Sequence, residues 1–246
     1  MSAISLLPVE GLPEVRPGDD LAALVGGACR LQSGDVLVVA QKIVSKAEGR
    51  LRRLADIVAG ERARELAAGL GADPRMVQAI LDETARIVRS DRVLIVETLQ
   101  GYVCANAGID HSNVSGEEGE ILLLPEDCDR SAANLRRRLR ARGAPEVGVI
   151  VADTFGRPWR TGIVNVALGV AGLAPLIDYR GRPDDHGRIL QATIIAVADE
   201  LAGAAELVMG KVGRVPAVVV RGWTGEGGDG GSGRDLLRPA AQDLFR

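Results

Sequence analysis

The apolar positions of this chain fall into two patterns. Short continuous apolar runs, bounded by charged or glycine residues, predict buried strands, and stretches with a helical repeat of apolar positions predict amphipathic helices. The predicted strands are 35–40, 93–97, 102–106, 121–124, 147–152 and 216–220. Because strands and helices alternate irregularly, the pattern predicts an α+β fold with mixed sheets, not a regular doubly wound sheet.

Several helix positions follow from this pattern. Asp20 precedes the apolar run 21–25, which predicts the start of a helix there. Residues 61–70 have a helical repeat and predict a further helix. The long segment 189–209 predicts either one helix or a strand followed by a helix.

Two further helices are predicted from capping residues. Asp73 before Pro74 combines an N-cap with a proline at the first helical position, and the apolar face of that helix continues to about Arg89. Ser131 is predicted to cap a basic helix at 135–142. The arginines of that helix are typical of a solvated face, although a ligand site is an alternative.

Candidate chemistry begins where the strand 147–152 meets polar residues. The apolar run reaches Asp153 and Thr154, and the sequence then breaks at a glycine and a proline beside Arg157 and Arg160. A carboxylate and a hydroxyl at a strand end, next to guanidinium groups, suit a metal ion that holds a phosphorylated ligand. A strand that simply ends in a polar turn explains the stretch equally well.

A second segment changes that balance. Asp110 follows the predicted strand 102–106, together with Asn113 and a glycine turn. An isolated aspartate is more often a turn former or a helix cap. Two carboxylates from separate strand ends, however, are a common way to supply the oxygen ligands that hard divalent cations need. Asp110 and Asp153 together therefore favour a metal site.

Composition excludes several classes of protein. The 246 residues are 46% hydrophobic but only 2% aromatic, so aliphatic side chains must fill the core. A net charge of −3 argues against general nucleic-acid binding, and no apolar run is long enough for a membrane span. Three widely spaced cysteines predict reduced thiols, and two histidines argue against a multi-histidine metal centre. We therefore expect a cytoplasmic protein without nucleic-acid or membrane partners.

Lysine is rare. Of the 30 lysine and arginine residues, only three are lysines: Lys42, Lys46 and Lys211. Codon bias in a GC-rich genome explains most of this skew, but under such a bias a remaining lysine is more often chemically required. Two of the three lie in the segment 41–50, which is predicted to be a loop. Lysine provides a compact point charge that suits phosphate.

Glycine-rich motifs give no standard nucleotide site. Residues 225–233 predict a flexible loop or linker; a phosphate cradle is the alternative, but the segment lacks the Lys-Ser/Thr pair of a P-loop. No Gly-x-x-x-x-Gly-Lys-Ser/Thr occurs, and no Gly-x-Gly-x-x-Gly clearly follows a strand. The sequence therefore predicts neither a standard P-loop nor a Rossmann fold.

Six separated motifs resemble those of the coenzyme F420-0:L-glutamate ligase family. They are residues 7–13, 45–50, 106–114, 153–157, 197–200 and 216–222. The resemblance runs in register through almost the whole chain, so it is specific. It implies an unusual α+β fold in which residues 1–223 form the ligase module from two intertwined lobes. Residues 224–246 resemble the junction to a nitroreductase-like domain, so the chain is either a stand-alone ligase or half of a bifunctional one.

The resemblance also implies an activity. Family members use GTP to add L-glutamate through γ-glutamyl amide bonds to F420-0, by way of an acyl phosphate. They are implied to need two divalent cations, Mn²⁺ or Mg²⁺, with K⁺ as a further candidate ion, and to act as homodimers. A metal-dependent phosphohydrolase and a nucleotide-binding module without turnover are the competing functions.

Site residues are carried over position by position. The implied catalytic residues are Asp110, Asp153 and Lys46, and the implied metal ligands are Asp110, Asp153 and Thr154. The implied nucleotide contacts are Glu10, Gly11, Leu12, Pro13, Gln41, Lys46 and Asn113.

The chain departs from the family at two of its positions. Relatives often carry serine where Gln41 stands, and some carry glutamate where Lys211 stands. A protonated lysine cannot ligate a cation, so we expect the second metal to be held differently here. Arg157 and Arg160 are candidates to bind the phosphodiester or the glutamate, and His111 is either a base or a loop residue.

Overall fold

The computed structural model describes residues 3–111, 114, 119–225 and 230–243. In this part the predicted α+β fold is confirmed. The helices are α1 (Leu21–Ala28), α2 (Gln41–Ala47), α3 (Glu61–Leu70), α4 (Pro74–Asp82), α5 (Cys128–Ala141) and α6 (Val197–Met209). The strands are β1 (Ser5–Pro8), β2 (Val36–Ala40), β3 (Leu51–Arg53), β4 (Thr84–Arg89), β5 (Ile95–Thr98), β6 (Val103–Ala105), β7 (Glu120–Leu122), β8 (Gly148–Arg157), β9 (Arg160–Ala171), β10 (Ile177–Asp178), β11 (Ile194–Ile195) and β12 (Ala217–Arg221).

The main sheet has five strands in the order β1–β12–β2–β8–β9. Only β2 and β8 run parallel; the other neighbours are antiparallel, so the sheet is mixed. Smaller sheets pair β4–β5–β6, β3–β7 and β10–β11. In the described part of the chain, no helix has the length and apolar character needed to span a membrane.

Both faces of the main sheet are covered. Leu37 and Val39 of β2 belong to a core shared with α1, α2 and α5, whereas Val36 and Val38 belong to a core on the opposite face with α6. Successive strand side chains point to opposite faces, so a strand covered on both sides must be continuously apolar. A separate core joins α3 and α4 to β5 and β7.

Capping predictions are largely confirmed. Asp20 caps α1, with its carboxylate accepting from the backbone of Ala22 at 3.1 Å, and Asp73 caps α4. The predicted start of α5 is wrong: the helix begins at Cys128 with Asp127 as its N-cap. Ser131 lies inside the helix, where its hydroxyl donates to Glu48 instead.

Two further element predictions are wrong. The helix predicted to reach Arg89 ends at Asp82, and residues 84–89 form β4, because pairing with β5 outweighs the helical repeat of the apolar positions. The segment 41–50, predicted as a loop, begins with α2, whose Ile43 and Val44 are buried against the main sheet. For 189–209, the strand-and-helix alternative is the observed one.

The end of the glycine-rich segment packs against the rest of the chain. Ser232 caps a short 3-10 helix, and its hydroxyl donates to Asp129 over 2.6 Å. The Gly233 amide donates to the other oxygen of Asp129 over 2.7 Å. Any side chain at Gly233 would meet the Leu168 carbonyl at 2.2 Å, which explains the glycine. The division of the chain at residue 223 remains a prediction.

Candidate active site

A cavity of about 1070 Å³ lies where β2 ends and its pairing with β8 stops. The parallel pairing stops with Ala40 opposite Ala152, and β8 continues beyond that point with only β9 as a neighbour. Residues of α2, of the segment 12–17 and of the segment after α6 complete the walls. Its volume is at the upper end of the roughly 300–1,000 Å³ typical of small-molecule sites.

Asp153 and Thr154 line this cavity. The prediction that they lie at the end of a strand is wrong, because β8 runs on to Arg157 in a long hairpin with β9. They do lie just past the end of the β2–β8 pairing, and this leaves their side of β8 open to the cavity. The cavity at these two residues thus arises from the end of the β2–β8 pairing and not from the end of β8.

The negative charge of the Asp153 carboxylate is little compensated by nearby positive charge. Burial and the negative charge of Asp110 raise its pKa to about 7, although the Thr154 backbone, Lys42 and Lys211 act in the opposite direction. Among the described residues, no lysine or arginine nitrogen lies within 4 Å of this carboxylate. A partly desolvated acid beside a second acid is suited to bind a cation.

Asp110 is held beside Asp153 from a distant part of the chain. Its backbone exchanges two hydrogen bonds with Leu122, at 3.0 and 2.9 Å. Its carboxylate accepts from the Gln41 amide at 2.5 Å and lies 3.2 Å from the Lys42 ammonium. Burial raises the pKa of Asp110, while Lys42 and Gln41 oppose that rise.

Gln41 has a role that the sequence did not indicate. Its side chain is fully buried, and its amide oxygen accepts from the Ser45 hydroxyl at 2.9 Å while its nitrogen donates to Asp110. It does not line the cavity. A direct contact between Gln41 and a nucleotide remains a prediction; the observed contact positions Asp110.

Three other basic side chains at the cavity contact acids or a hydroxyl of the protein. Lys46 forms an ion pair with Glu14 at 2.5 Å, and Arg214 approaches the same glutamate at 3.7 Å. Lys211 lies 2.9 Å from Glu206 and donates to the Thr154 hydroxyl at 2.5 Å. An anionic ligand that binds here would therefore exchange these internal partners for its own charge.

Leu12 and Pro13 are part of the cavity wall, but Glu10 and Gly11 are not. Gly11 has a left-handed φ of 74°, which glycine adopts easily at the turn before the wall. Asn113 lies outside the described residues. The roles of these residues in nucleotide binding remain predictions.

Three residues with predicted roles are not part of the cavity wall. His111 is exposed, directly after Asp110. Arg157 and Arg160 face each other at the turn of the β8–β9 hairpin and do not line the cavity. A role for these arginines in binding anionic substrate remains a prediction.

The donor groups fit one divalent cation better than two. The described residues contain no group of three or more His, Cys, Asp or Glu side chains that could hold a metal. Asp110 and Asp153 nevertheless offer two carboxylates, and Mg²⁺ commonly binds one or two carboxylates while keeping waters and phosphate oxygens. Thr154 fits a second cation poorly, because its hydroxyl already accepts from the Lys211 ammonium.

Two other polar groups escaped prediction. Asn165, in the apolar strand β9, is buried and accepts from the Thr154 hydroxyl at 3.0 Å. Glu206, near the end of α6, lines the cavity and pairs with Lys211. A single asparagine within an apolar run was the available signal for Asn165. Glu206 lies on a helix with many small and charged residues, and nothing in the sequence distinguishes it from them.

Comparison with known proteins identifies the family of this chain. The profile of a family described as F420-0:Gamma-glutamyl ligase matches residues 11–222. The chain therefore belongs to the F420-0:gamma-glutamyl ligase family, and the resemblance seen in its motifs is confirmed.

Individual relatives are similar over at least 96% of their lengths. A protein of Archaeoglobus fulgidus named coenzyme F420:L-glutamate ligase is 46% identical over 244 residues, which cover 99% of this chain and 96% of the relative. Proteins with the same name from Methanothermobacter thermautotrophicus and Methanopyrus kandleri are 48% and 46% identical. These alignments cover 99% of both chains and 100% of both chains, respectively.

Proposed function

We propose that this protein is a GTP-dependent ligase that adds L-glutamate to coenzyme F420-0 through γ-glutamyl amide bonds. The observation that carries the proposal is a cavity lined by Asp153 and Lys46, with the charge of Asp110 acting on Asp153, in a chain that matches the ligase family over residues 11–222. The resemblance further supports a homodimer that acts in the cytoplasm.

The reaction must activate a carboxylate before an amine can displace an oxygen from it. In the proposed sequence, the γ-phosphoryl group of GTP passes to the terminal carboxylate of F420-0, and GDP leaves. The amine of glutamate then attacks the carbonyl carbon of this acyl phosphate and loses a proton as the C–O bond to phosphate breaks. The products are the amide and inorganic phosphate.

Positioning and charge neutralisation are the main tasks of a protein in such phosphoryl transfer. We assign the binding of one divalent cation, Mn²⁺ or Mg²⁺, to Asp110 and Asp153. When bound, that cation would offset the charge of the phosphates. The buried amide of Gln41 fixes the orientation of Asp110, which keeps the two carboxylates in place.

The lysines of α2 are assigned to the phosphates. Lys46 lines the cavity, and its present partner Glu14 has a 56% exposed side chain. Because that partner is largely solvated, exchanging it for a phosphate costs little. Lys42 also lines the cavity, and its ammonium lies 3.2 Å from the Asp110 carboxylate.

The test is a mass measurement of F420-0 after incubation with the protein, GTP, Mn²⁺ and glutamate. Successive gains of one glutamyl unit are expected, and omission of GTP should abolish them. Asp153→Asn should lose the products while remaining folded, whereas the exposed Asp91→Asn should retain them.

Other outcomes would contradict the proposal. Release of phosphate from GTP without F420-0 and glutamate, with no glutamylated product, would indicate a metal-dependent phosphohydrolase. Binding of GTP without any turnover would indicate a nucleotide-binding module.

A further inference from the structure

Lys211 reaches the cavity because of the turn that ends α6. The helix stops at Met209, and Gly210 follows with a φ of 55°, a left-handed value. After this turn, the Lys211 ammonium lies 2.5 Å from the Thr154 hydroxyl and 2.9 Å from the Glu206 carboxylate. Strand β8 and helix α6 thus meet at this ammonium.

The Thr154 hydroxyl already makes two hydrogen bonds, one as a donor and one as an acceptor. It donates to the side-chain oxygen of Asn165 at 3.0 Å and accepts from Lys211. Asn165 is itself buried, and its amide nitrogen contacts the sulfur of Met209 at 3.5 Å, so its orientation is fixed. A hydroxyl has two lone pairs, and one of these is already used by an ammonium.

The charge of Lys211 has the same sign as a second cation and lies where a cation bound at Thr154 would lie. The Lys211 ammonium contacts Thr154, which directly follows Asp153 on β8. A divalent ion bound at Thr154 would lie against this ammonium and be repelled by it. The two positive charges therefore compete for one position.

We propose that the Lys211 ammonium replaces the second divalent cation beside Thr154, so that this chain binds a single cation at Asp110 and Asp153. Lys211 is then a positioning residue that supplies fixed positive charge in the cavity. The inference rests on the proposed metal-assisted ligase reaction, but its test counts bound ions and needs no turnover.

The test measures Mn²⁺ stoichiometry from the electron paramagnetic resonance signal of free Mn²⁺, titrated into the full-length protein without nucleotide. The wild-type protein is expected to bind one Mn²⁺ per chain. Lys211→Gln removes the ammonium, keeps a polar side chain and frees the Thr154 hydroxyl, so two ions per chain are expected. Thermal unfolding of each variant checks that it is folded.

Arg214→Gln is the matched control, because it also removes a positive charge at the cavity wall but does not contact Thr154. It should bind one ion, like the wild type. The inference is wrong if the wild type binds any number other than one, if Lys211→Gln binds no more than the wild type, or if Arg214→Gln gains a site as well. If the ion counts are as expected but the wild-type protein transfers no glutamate to F420-0, the proposed function alone is contradicted.

Discussion

The amide nitrogen of Gln41 lies 2.5 Å from Oδ2 of Asp110, although the two residues are 69 positions apart in the sequence. This bond joins the start of α2 to the turn after β6. Because the other end of the amide accepts from Ser45, the group cannot rotate freely, and the direction of the Asp110 carboxylate is set. A cation site that uses Asp110 thus depends on a residue that does not line the cavity.

Gln41→Met should therefore weaken Mn²⁺ binding by about tenfold or more, because loss of a group that orients a ligand typically costs 10–100-fold in metal affinity. The substitution keeps the side-chain volume and removes both hydrogen bonds. Titration of Mn²⁺ by electron paramagnetic resonance measures the change. The exposed Gln191→Met is the control, and an unchanged affinity in Gln41→Met would show that Asp110 is oriented by other contacts.

Asp153 predicts an unusual pH dependence of the metal-free protein. Its pKa is raised from the ordinary 3.8 to about 7 by burial and by Asp110, so between these values the folded state binds more protons than the unfolded state. The free energy of unfolding therefore falls as pH rises from about 4 to 7 and is lowest above 7. The rise of the pKa of Asp153 from 3.8 to about 7 sets an upper bound of about 4 kcal/mol on this effect.

Asp153→Asn should remove this fall in the free energy of unfolding, since asparagine is neutral at every pH. In EDTA at pH 8 the variant should be more stable than the wild type, and the difference should close near pH 4. Urea unfolding at both pH values measures it. Asp178→Asn is a control with the opposite environment, because Arg180 lowers the pKa of the exposed Asp178 to about 2, and it should bring no gain. A variant that is no more stable than the wild type at pH 8 would contradict the assigned burial of Asp153.

The ion pair between Arg221 and Asp35 is predicted to be structural. Asp35 is 2% exposed and accepts from Arg221 at 2.9 and 2.7 Å. Arg221→Met would leave a buried, unpaired carboxylate, so the free energy of unfolding should fall by about 3 kcal/mol. In the exposed pair of Arg89 and Asp91, Arg89→Met should change it by less than about 0.5 kcal/mol. Similar losses in the two variants, measured by urea unfolding, would refute this distinction.

The cysteines should be unreactive in the folded protein. Cys104 and Cys128 are buried, and burial raises the pKa of each thiol to about 12. At pH 8, only about one in ten thousand of such thiols is ionised, and the thiolate is the reactive form. Burial also raises the pKa of the partly buried Cys29.

A thiol reagent should therefore label these cysteines slowly in the native protein and all three rapidly in guanidinium. Both rates are measured at pH 8 from the absorbance of the coloured product that the reagent releases. Rapid labelling of two or more thiols in the native protein would show that Cys104 or Cys128 is accessible.

Local signals in the sequence placed several elements correctly. Asp20 and Asp73 cap the helices that they were predicted to cap, since a carboxylate can satisfy nearby backbone amides without any distant partner. The extent of α4 was not predictable in this way. Residues 84–89 have a sequence compatible with helix or strand, and the neighbouring strand β5 decides between the two.

The sequence by itself determined the α+β class, the aliphatic strands and the acidic residues around which the site is built. Only the tertiary structure decided which groups those acids meet. The parallel pairing of β2 with β8 opens the cavity at Asp153, and the turn at Gly210 brings Lys211 to Thr154. Strand register and chain turns set these contacts between distant residues, and local propensities along the sequence do not encode them.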